Sequence, residues 1–456
     1  MQILSISDIL RATDGELIHK ADGAEFIEVT EVTIDSRKAV DGVAFIPLKG
    51  EHADGHDFIG AALEHGASVA LTEKEIDVHF GNVIKVKDTR KALGDIARYY
   101  KQKYPVPTVS ITGSVGKTTT KDLVYAVISE HYKTHKTPNN FNNDIGVPLT
   151  IFGLNEEHTA AVIEMGMNHL GEISYLANIV RPECAIITNI GMSHIENLGS
   201  REGIFRAKME IAEKFGEKNT LIVNGDDDYL KTLKDTPYKL IKFGMSDTND
   251  LYAKDIVNNG LMGIEFTVVY PDGEFRATVK QPGVHNVYNA LAAVAAGFVM
   301  GVSVEECKAG LYNCVYTSSR LEVIEHNGIE IINDCYNASP DSVRAALKVM
   351  EQSNQTRKVA VLGDIFELGE HAETAHFELG KSVGESCADM LITAGENARL
   401  IAEGAKACGM DNVVSFDTTE ELCSNILNLI QSGDCVLIKA SHGMKFSEVT
   451  EKITNS

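Results

Sequence analysis

The sequence predicts an α/β protein of three domains: a small mixed α/β N-terminal domain, a central domain with a parallel sheet, and a C-terminal Rossmann-like domain. Its 456 residues suffice for about three domains of ordinary size. From residue 106 onward, short apolar segments rich in β-branched residues alternate with amphipathic segments of helical periodicity. This alternation is typical of parallel sheets whose two faces are covered by helices.

The first expected domain covers residues 1–84, where short strands mix with helices. Its predicted strands lie in VTEVTIDS, VAFIPL, SVALT and NVIKV. A helical linker is predicted over residues 85–105, in the segment TRKALGDIARYYKQKYP. Pro105 and Pro107 end that helix before the next strand, because proline lacks the backbone N–H that a helix interior needs.

The central domain is expected over residues 106–316, with strands in PTVSIT, AAVIEM, CAIITNI and TLIVN. Helices are predicted between them, in KTTTKDLVYAVISEHY, HLGEISYLANIV and EGIFRAKMEIAEKF. The apolar run at residues 291–302 is shorter than the ~20 residues that a membrane span needs. We therefore expect this run to form a core helix.

The C-terminal domain is expected over residues 317–456, with strands in IEIIND, RKVAVLGD, DMLITAG, NVVSF and DCVLIKAS. Two of its predicted helices lie in SPDSVRAALKVMEQS and NARLIAEGAKACG. No G-x-G-x-x-G pattern follows any of these strands. A nicotinamide or flavin enzyme is therefore disfavoured.

The composition narrows the class of protein. The formal net charge of −23 repels nucleic-acid phosphate and disfavours a DNA- or RNA-binding role, although local lysines can still hold a phosphorylated ligand. The eight cysteines form no C-x-x-C pair and are expected to be reduced, buried thiols of a cytoplasmic protein. The N-terminal segment lacks the basic region of a signal peptide. No membrane insertion is expected, and nothing in the sequence demands more than a monomer.

A phosphate loop (P-loop) is predicted in VSITGSVGKTTTKDL, where a strand, a glycine-rich loop and a helix follow one another. Backbone N–H groups and the helix N-terminus would face phosphate, and a threonine hydroxyl would bind Mg²⁺. The strict G-x-x-x-x-G-K-[ST] pattern fails, since position 111 is Ile111, but a shorter G-x-x-G-K-T-T form fits. An ordinary strand-to-helix turn is the alternative. The loop residues are Gly113, Ser114, Val115, Gly116, Lys117, Thr118 and Thr119.

Glu164 and His194 are candidate metal ligands, because each follows a predicted strand at the sheet edge that carries the loop. The alternatives are a solvated strand-end acid for Glu164 and a hydrogen-bonded loop histidine for His194. Lys208 lies beside the apolar stripe of its predicted helix, and the alternative there is a lysine whose amine reaches out to water.

These motifs resemble the Mur ligases, the ATP-dependent amide-forming enzymes of peptidoglycan assembly, over essentially the whole chain. The shared segments are GSVGKTT, EMG, TNIGMSHIENLGS, RAKMEI and GVHNVYNALAA. Further segments resemble the branch that adds D-alanyl-D-alanine to UDP-N-acetylmuramoyl-tripeptide: IDSRKAVDGVAFIPLKGEHADGHDFI, NDCYNASPDSV, VLGDIFELGEHAETAH and VLIKASHGMKF. The chain departs from the family pattern at Ser319, Ser339 and Ala440, where glycine, asparagine and glycine are usual.

The resemblance implies the roles of individual residues. The P-loop, Asn286, Asn289, Arg320 and Asp334 would bind ATP, with a helix cap as the alternative for the two asparagines. Two Mg²⁺ ions would be held by Thr118, Glu164, His194 and a carbamylated Lys208, and Lys117, His194 and Lys208 are the expected catalytic residues. The substrate would contact Ser36, Arg37, Asp54, Gly55 and His56 at its UDP-sugar end, and Asn139, Asn140, Asn142, Asn143, Tyr336, Asn337 and Ser441 elsewhere.

The reaction that the resemblance implies is ATP-dependent amide formation through an acyl phosphate, which yields the UDP-linked pentapeptide precursor of the cell wall. Lysine and diaminopimelate both stay open for the third residue of the tripeptide. The alternatives are another Mur branch, a folylpolyglutamate synthase, or a P-loop ATPase switch that acts on a protein partner. A switch would have no need of a second α/β domain that carries Asp334, Tyr336 and Asn337.

Overall fold

Helices and strands alternate along most of the chain in the computed structural model, which describes residues 1–21, 23–51, 53–76 and 80–456. None of the helices in these ranges combines the length and the apolar character that crossing a membrane requires. The predicted α/β class is confirmed, since parallel strands form most of each large sheet.

The N-terminal sheet forms within residues 16–85. Its strands run in the order β2, β7, β6, β5, β4, and β2 is antiparallel to β7 while the others are parallel. Strands β1 and β3 pair separately as an antiparallel ladder. The strands are β1 Leu4–Ser5, β2 Glu16–His19, β3 Glu28–Val29, β4 Glu31–Thr33, β5 Val43–Phe45, β6 Val69–Thr72 and β7 Val83–Lys85, and the helices are α1 Ile6–Thr13, α2 Ile59–Glu64 and α3 Thr89–Lys103.

Helix α3 occupies most of the segment for which a helical linker is predicted. Asp88 caps it by accepting a hydrogen bond from the Lys91 N–H. Its fully buried Tyr100 accepts from the Gln2 N–H at 2.7 Å and donates to the Leu154 carbonyl at 2.5 Å. The helix therefore packs as a bridge between the N-terminal residues and the central sheet.

The central sheet runs in the order β16, β15, β14, β13, β12, β11, β8, β10, β9. It is parallel from β9 to β14, and β14, β15 and β16 extend it as an antiparallel ribbon. Its strands are β8 Thr108–Thr112, β9 Thr134–Lys136, β10 Ala160–Glu164, β11 Cys184–Ile187, β12 Thr220–Asn224, β13 Lys239–Gly244, β14 Leu251–Asn258, β15 Ile264–Tyr270 and β16 Gly273–Val279. Its helices are α4 Lys117–Ser129, α5 Gly146–Phe152, α6 Glu172–Val180, α7 Ile195–Leu198, α8 Arg201–Met209, α9 His285–Val299 and α10 Val304–Asn313.

Two hydrophobic cores cover the two faces of the central sheet. Along β10, Ala161 and Ile163 enter one core, while Ala160 and Val162 enter the other. Both faces are buried, which explains why this strand is apolar at every position. The run predicted as a core helix is the end of α9 and the turn after it, and residues 290–296 are buried.

The C-terminal sheet runs in the order β17, β18, β22, β19, β20, β21, with β17 antiparallel and the rest parallel. Cores again lie on both faces. The strands are β17 Glu322–His326, β18 Ile329–Asn333, β19 Arg357–Gly363, β20 Met390–Ala394, β21 Val413–Phe416 and β22 Asp434–Lys439, and the helices are α11 Pro340–Met350, α12 Ala372–Gly384, α13 Ala398–Ala407, α14 Thr419–Asn425 and α15 Ser447–Thr454.

All eight cysteines are free thiols, as expected, but they are not all buried. Cys408 follows the last turn of α13 and is exposed, and Cys387 and Cys423 are half-buried. The prediction of burial is wrong at these positions because they lie at helix ends and on an outer helix face, where the apolar pattern no longer determines burial. The buried thiols are Cys184, Cys307, Cys314, Cys335 and Cys435.

Candidate active site

The predicted P-loop connects the end of β8 to the start of α4 and lies at the carboxyl edge of the central sheet. Gly113 and Gly116 have φ angles of +151° and +85°, which favour glycine. A Cβ at Gly113 would lie 1.8 Å from Thr188 Oγ1, and one at Gly116 would lie 2.8 Å from Asn289 Oδ1. Both glycines are therefore required by backbone conformation and by the close approach of neighbouring residues.

Neighbouring residues hold the loop in its curled shape. Asn189 accepts a hydrogen bond from the Val115 N–H at 2.9 Å, and Ser114 Oγ accepts from the Gly191 N–H at 2.8 Å. Lys117 Nζ donates to the Gly113 carbonyl at 2.8 Å. Burial lowers the pKa of Lys117, while the nearby Glu164 raises it. The amine thus lies at the centre of the loop, where a phosphate oxygen can replace the carbonyl as its partner.

Glu164 ends β10, beside the loop, and is 1% exposed. Its Oε1 accepts from Asn142 Nδ2 at 2.8 Å, while its Oε2 is buried with no hydrogen-bond partner among the described residues. A buried carboxylate oxygen without a partner is costly unless a cation or donor completes it. This geometry is unlike that of a solvated strand-end acid, and it fits a cation site.

His194 lies at the N-terminus of α7 in a left-handed conformation, with φ of +63°. Its Nδ1 is 2.6 Å from Glu367 Oε2, a carboxylate of the C-terminal part of the chain. Glu367 is also left-handed, with φ of +64°, and His194 lowers the pKa of its carboxyl. The pair therefore links the central and C-terminal sheets at the edge of the site.

Lys208 is 1% exposed on α8, which excludes the alternative of an amine that reaches out to water. Within the described residues, no hydrogen bond or ion pair holds its Nζ. Burial, together with the positive charge of Lys117, holds the pKa of Lys208 well below its ordinary value of 10.5. This environment therefore favours the neutral form of the amine.

A cavity of about 670 Å³ lies between the P-loop and the C-terminal sheet. It brings together residues that are far apart in the sequence, and many of the predicted site residues line it. These are Ser114, Val115, Gly116, Lys117, Thr118, Thr119, Asn140, Asn142, Asn143, Glu164, His194, Asn289, Arg320, Asp334, Tyr336 and Asn337.

The C-terminal wall of the cavity is built from charged and aromatic contacts. Arg320 Nη2 donates to Thr118 Oγ1 at 3.0 Å, and its guanidinium lies 3.9 Å from the centre of the Tyr336 ring. Asp334 accepts from Lys439 Nζ at 2.5 Å and from the Leu321 N–H at 3.2 Å. Arg320 is thus aimed at the start of the P-loop helix.

Some predicted residues lie outside the lining of this cavity. Asn286 donates to the Pro282 carbonyl and accepts from Asn289, and Ser441 Oγ accepts from the Phe366 N–H. These bonds give both side chains internal partners, and their proposed contacts with ligands stay predictions. The others outside the lining are Gly113, Lys208, Asn139, Ser36, Arg37, Asp54, Gly55 and His56.

The predicted residues for the UDP-sugar form two short turns in the N-terminal part. Arg37 pairs with Asp35 at 2.9 Å, yet its side chain is 86% exposed. Asp54 accepts from His56 Nδ1 at 2.6 Å and from Lys74 Nζ at 2.9 Å. In this structure, the carboxylate of Asp54 therefore holds its own turn together.

The sequence interpretation missed several residues of the site. Asn189 and Ser193 fix the P-loop, and Glu367 contacts His194. The segments TNIGMSHIENLGS and VLGDIFELG were recognisable as motifs, but nothing in their spacing indicates which side chain faces the cavity. The described residues contain no cluster of three or more His, Cys, Asp or Glu side chains that could hold a metal ion. Magnesium sites commonly use one or two carboxylates completed by phosphate and water.

Comparisons with known proteins agree with this architecture. Family models match residues 28–101 (Mur ligase family, catalytic domain), 111–297 (Mur ligase middle domain) and 319–442 (Mur ligase, glutamate ligase domain). The chain is 40% identical over 430 residues to the UDP-N-acetylmuramoyl-tripeptide–D-alanyl-D-alanine ligase of Bacillus subtilis (strain 168), with 93% of each chain covered.

Solved structures agree as well. A crystal structure of MurF from Acinetobacter baumannii has a TM-score of 0.92 and 33% sequence identity, and each chain is covered completely. The MurF ligase of Thermotoga maritima, solved in complex with ADP, has a TM-score of 0.83 and 27% identity over 94% of this chain and 97% of that one.

Proposed function

The chain belongs to the Mur ligase family, and from that membership we propose that it joins D-alanyl-D-alanine to UDP-N-acetylmuramoyl-tripeptide as it converts ATP to ADP and phosphate. The observation that carries the proposal is that one cavity has the P-loop on one wall and Arg320, Asp334, Tyr336 and Asn337 on the other. The Bacillus subtilis relative bears the name of this activity, and the Thermotoga maritima relative binds ADP.

The reaction begins with phosphoryl transfer. An oxygen of the tripeptide's terminal carboxylate bonds to the γ-phosphorus of ATP as the bond to the β,γ-bridging oxygen breaks, and ADP leaves. The amine of D-alanyl-D-alanine then attacks the acyl carbon and loses a proton. The tetrahedral intermediate expels phosphate, which keeps the electron pair of the broken C–O bond, and the amide remains. Phosphorylation is needed because a free carboxylate has no good leaving group.

The chain's own residues bring two anions together. Lys117 contacts the backbone of the P-loop and Arg320 contacts Thr118 at the start of its helix, so both supply positive charge where the phosphates of ATP are proposed to bind. Charge that is oriented before the reaction stabilises the transition state without further reorganisation, and this effect is usually the largest in catalysis.

Two Mg²⁺ ions are proposed to be held by Thr118, Glu164, His194 and Lys208. The unpartnered Oε2 of Glu164 supports this assignment, because it is a buried oxygen ligand beside the loop. Bound cations supply positive charge that neutralises phosphate oxygens. We propose that the neutral amine of Lys208 attacks the carbon of CO₂ and releases a proton, which gives a carbamate anion with two ligand oxygens. The low pKa of Lys208 supports this step.

We propose that Ser36, Arg37 and the turn at Asp54–His56 hold the UDP-sugar, and that Asn139, Asn140, Asn142 and Asn143 lie near the peptide. The exposed guanidinium of Arg37 is able to reach a diphosphate. The position of Asn140, Asn142 and Asn143 in the cavity lining, next to Glu164, supports the second assignment.

The test is a substrate screen with Mg-ATP. Phosphate release should require both UDP-N-acetylmuramoyl-tripeptide and D-alanyl-D-alanine, and mass spectrometry should show the pentapeptide product. Turnover with a folate substrate or with single amino acids would favour another member of the superfamily. Phosphate release without any amine substrate, stimulated by a protein partner, would favour an ATPase switch.

A further inference from the structure

The segment Thr317–Leu321 connects the central and C-terminal sheets and carries Arg320. Its backbone is unusual, because Ser319 and Leu321 on either side of Arg320 have φ angles of +60° and +50°. Residues with a side chain rarely adopt this conformation, and it persists only where surrounding contacts impose it. Contacts along the segment therefore set the position of Arg320, and they include a hydrogen bond from Gln281 to the Arg320 carbonyl as well as the bonds at Thr317.

Asp122, on the P-loop helix α4, holds the first residue of this segment. Its Oδ2 accepts from both the N–H and the Oγ1 of Thr317, each at 2.8 Å. Its Oδ1 lies 2.7 Å from Lys136 Nζ and 3.7 Å from Lys121 Nζ. Asp122 is 1% exposed, and both of its carboxylate oxygens have partners.

Helix α4 contacts the connecting segment through two residues on one of its faces. Thr118 and Asp122 are four residues apart and point the same way. Thr118 accepts from Arg320, and Asp122 accepts from Thr317. Lys117, the phosphate-binding lysine of the proposed mechanism, precedes Thr118 directly. The same helix therefore sets the P-loop and the connecting segment relative to each other.

We propose that Asp122 is a positioning residue that, by holding Thr317, keeps the Arg320 guanidinium over the P-loop for contact with the nucleotide's phosphates. The inference rests on one part of the proposed function, namely that the P-loop binds a nucleoside triphosphate. Asp122 is buried and lies outside the cavity lining, so it acts on binding through Arg320.

The experiment is a double-mutant cycle on nucleotide binding. The Mg²⁺ complex of AMP-PNP is titrated by calorimetry into the wild type, Asp122→Asn, Arg320→Ala and the double variant, with no peptide substrate present. Asp122→Asn should weaken binding about tenfold, the scale of one charge-assisted hydrogen bond. In the Arg320→Ala background the same substitution should have no further effect, because the side chain that it positions is gone.

A matched control separates this role from general destabilisation. Asp250 is an exposed residue whose carboxylate also accepts a backbone N–H of the central sheet, that of Lys242. The control variant Asp250→Asn should leave nucleotide binding unchanged. If Asp122→Asn does not fold, Thr317→Val takes its place, because it removes only the hydroxyl contact with Asp122. It should weaken nucleotide binding less than Asp122→Asn, and this effect should also vanish in the Arg320→Ala background. Unchanged affinity, or effects that multiply in the double variant, would overturn the proposal. Absence of ligase turnover would count against the proposed function alone.

Discussion

Ser319, Ser339 and Ala440 depart from the family pattern, and the structure explains the consequences of each. Ser319 has a φ of +60°, where glycine is the usual residue. Ser339 caps α11 by accepting from the Ser342 N–H, a role that asparagine fills equally well. Ala440 is fully buried, and its Cβ would lie 2.8 Å from a Cβ built at Gly363. The substitutions therefore preserve local structure, at the cost of strain at Ser319.

Lys208 provides the sharpest prediction for a single residue. Lys208→Ala should be nearly inactive, because it removes the proposed carbamate ligand, and short carboxylates such as formate should restore part of the activity. Lys214→Ala serves as the matched control, since Lys214 follows in the same region but is exposed. Steady-state ligase assays measure both variants. Full activity of Lys208→Ala, or no rescue by any carboxylate, would contradict the carbamate assignment.

His285 lies at the cavity wall, where desolvation lowers its pKa from 6.5 to about 4. The folded chain therefore keeps this imidazole neutral, while the unfolded chain takes up a proton as pH falls below 6.5. Stability should fall between pH 6.5 and pH 4, where the unfolded state binds more protons. The melting temperature of the wild type should decrease more steeply over this range than that of His285→Gln. An NMR titration midpoint for His285 near 6.5 would refute the assignment.

At the scale of elements, the P-loop depends on the space around its second glycine. Gly116→Ala should abolish nucleotide binding, because its Cβ would meet Asn289 at 2.8 Å and distort the loop. Gly171→Ala is a suitable control. It has a nearly equal φ of +89°, but a Cβ there meets nothing within 4 Å.

Both glycine substitutions impose a left-handed conformation on alanine, which costs about 1 kcal/mol. Only Gly116→Ala adds the clash. Calorimetric titration with ADP and Mg²⁺ should therefore show binding by Gly171→Ala and none by Gly116→Ala. Equal affinities would mean that the loop tolerates the displacement of Asn289.

The elements that the sequence predicts best are those with continuous apolar strands. Strands β8, β10, β11 and β12 follow from their apolar runs, and the P-loop follows from its glycines. The ribbon of β14, β15 and β16 was not predicted. This was an omission, because buried positions of β15 alternate with partly exposed ones along IEFTVVY, which is the pattern of a half-buried strand. Strand β9 has only three residues, too few for any periodicity.

At the scale of the whole molecule, the site forms where the central and C-terminal sheets meet. The sequence indicated the P-loop, Glu164 and His194 individually, and the resemblance to a family added Arg320 and grouped them. Their distances could not be predicted, because Thr118 and Arg320 are 202 residues apart in the chain and meet only through the packing of two sheets. The contact of His194 with Glu367 is of the same kind.

The proposed reaction depends on the activation of a carboxylate by ATP. The most direct test uses tripeptide substrate with ¹⁸O at both oxygens of its terminal carboxylate, D-alanyl-D-alanine and Mg-ATP, and measures the isotope in the released phosphate by mass spectrometry. An acyl phosphate transfers one carboxylate oxygen to phosphate, so each phosphate released should carry one ¹⁸O. Phosphate without ¹⁸O, formed alongside the amide product, would contradict the account.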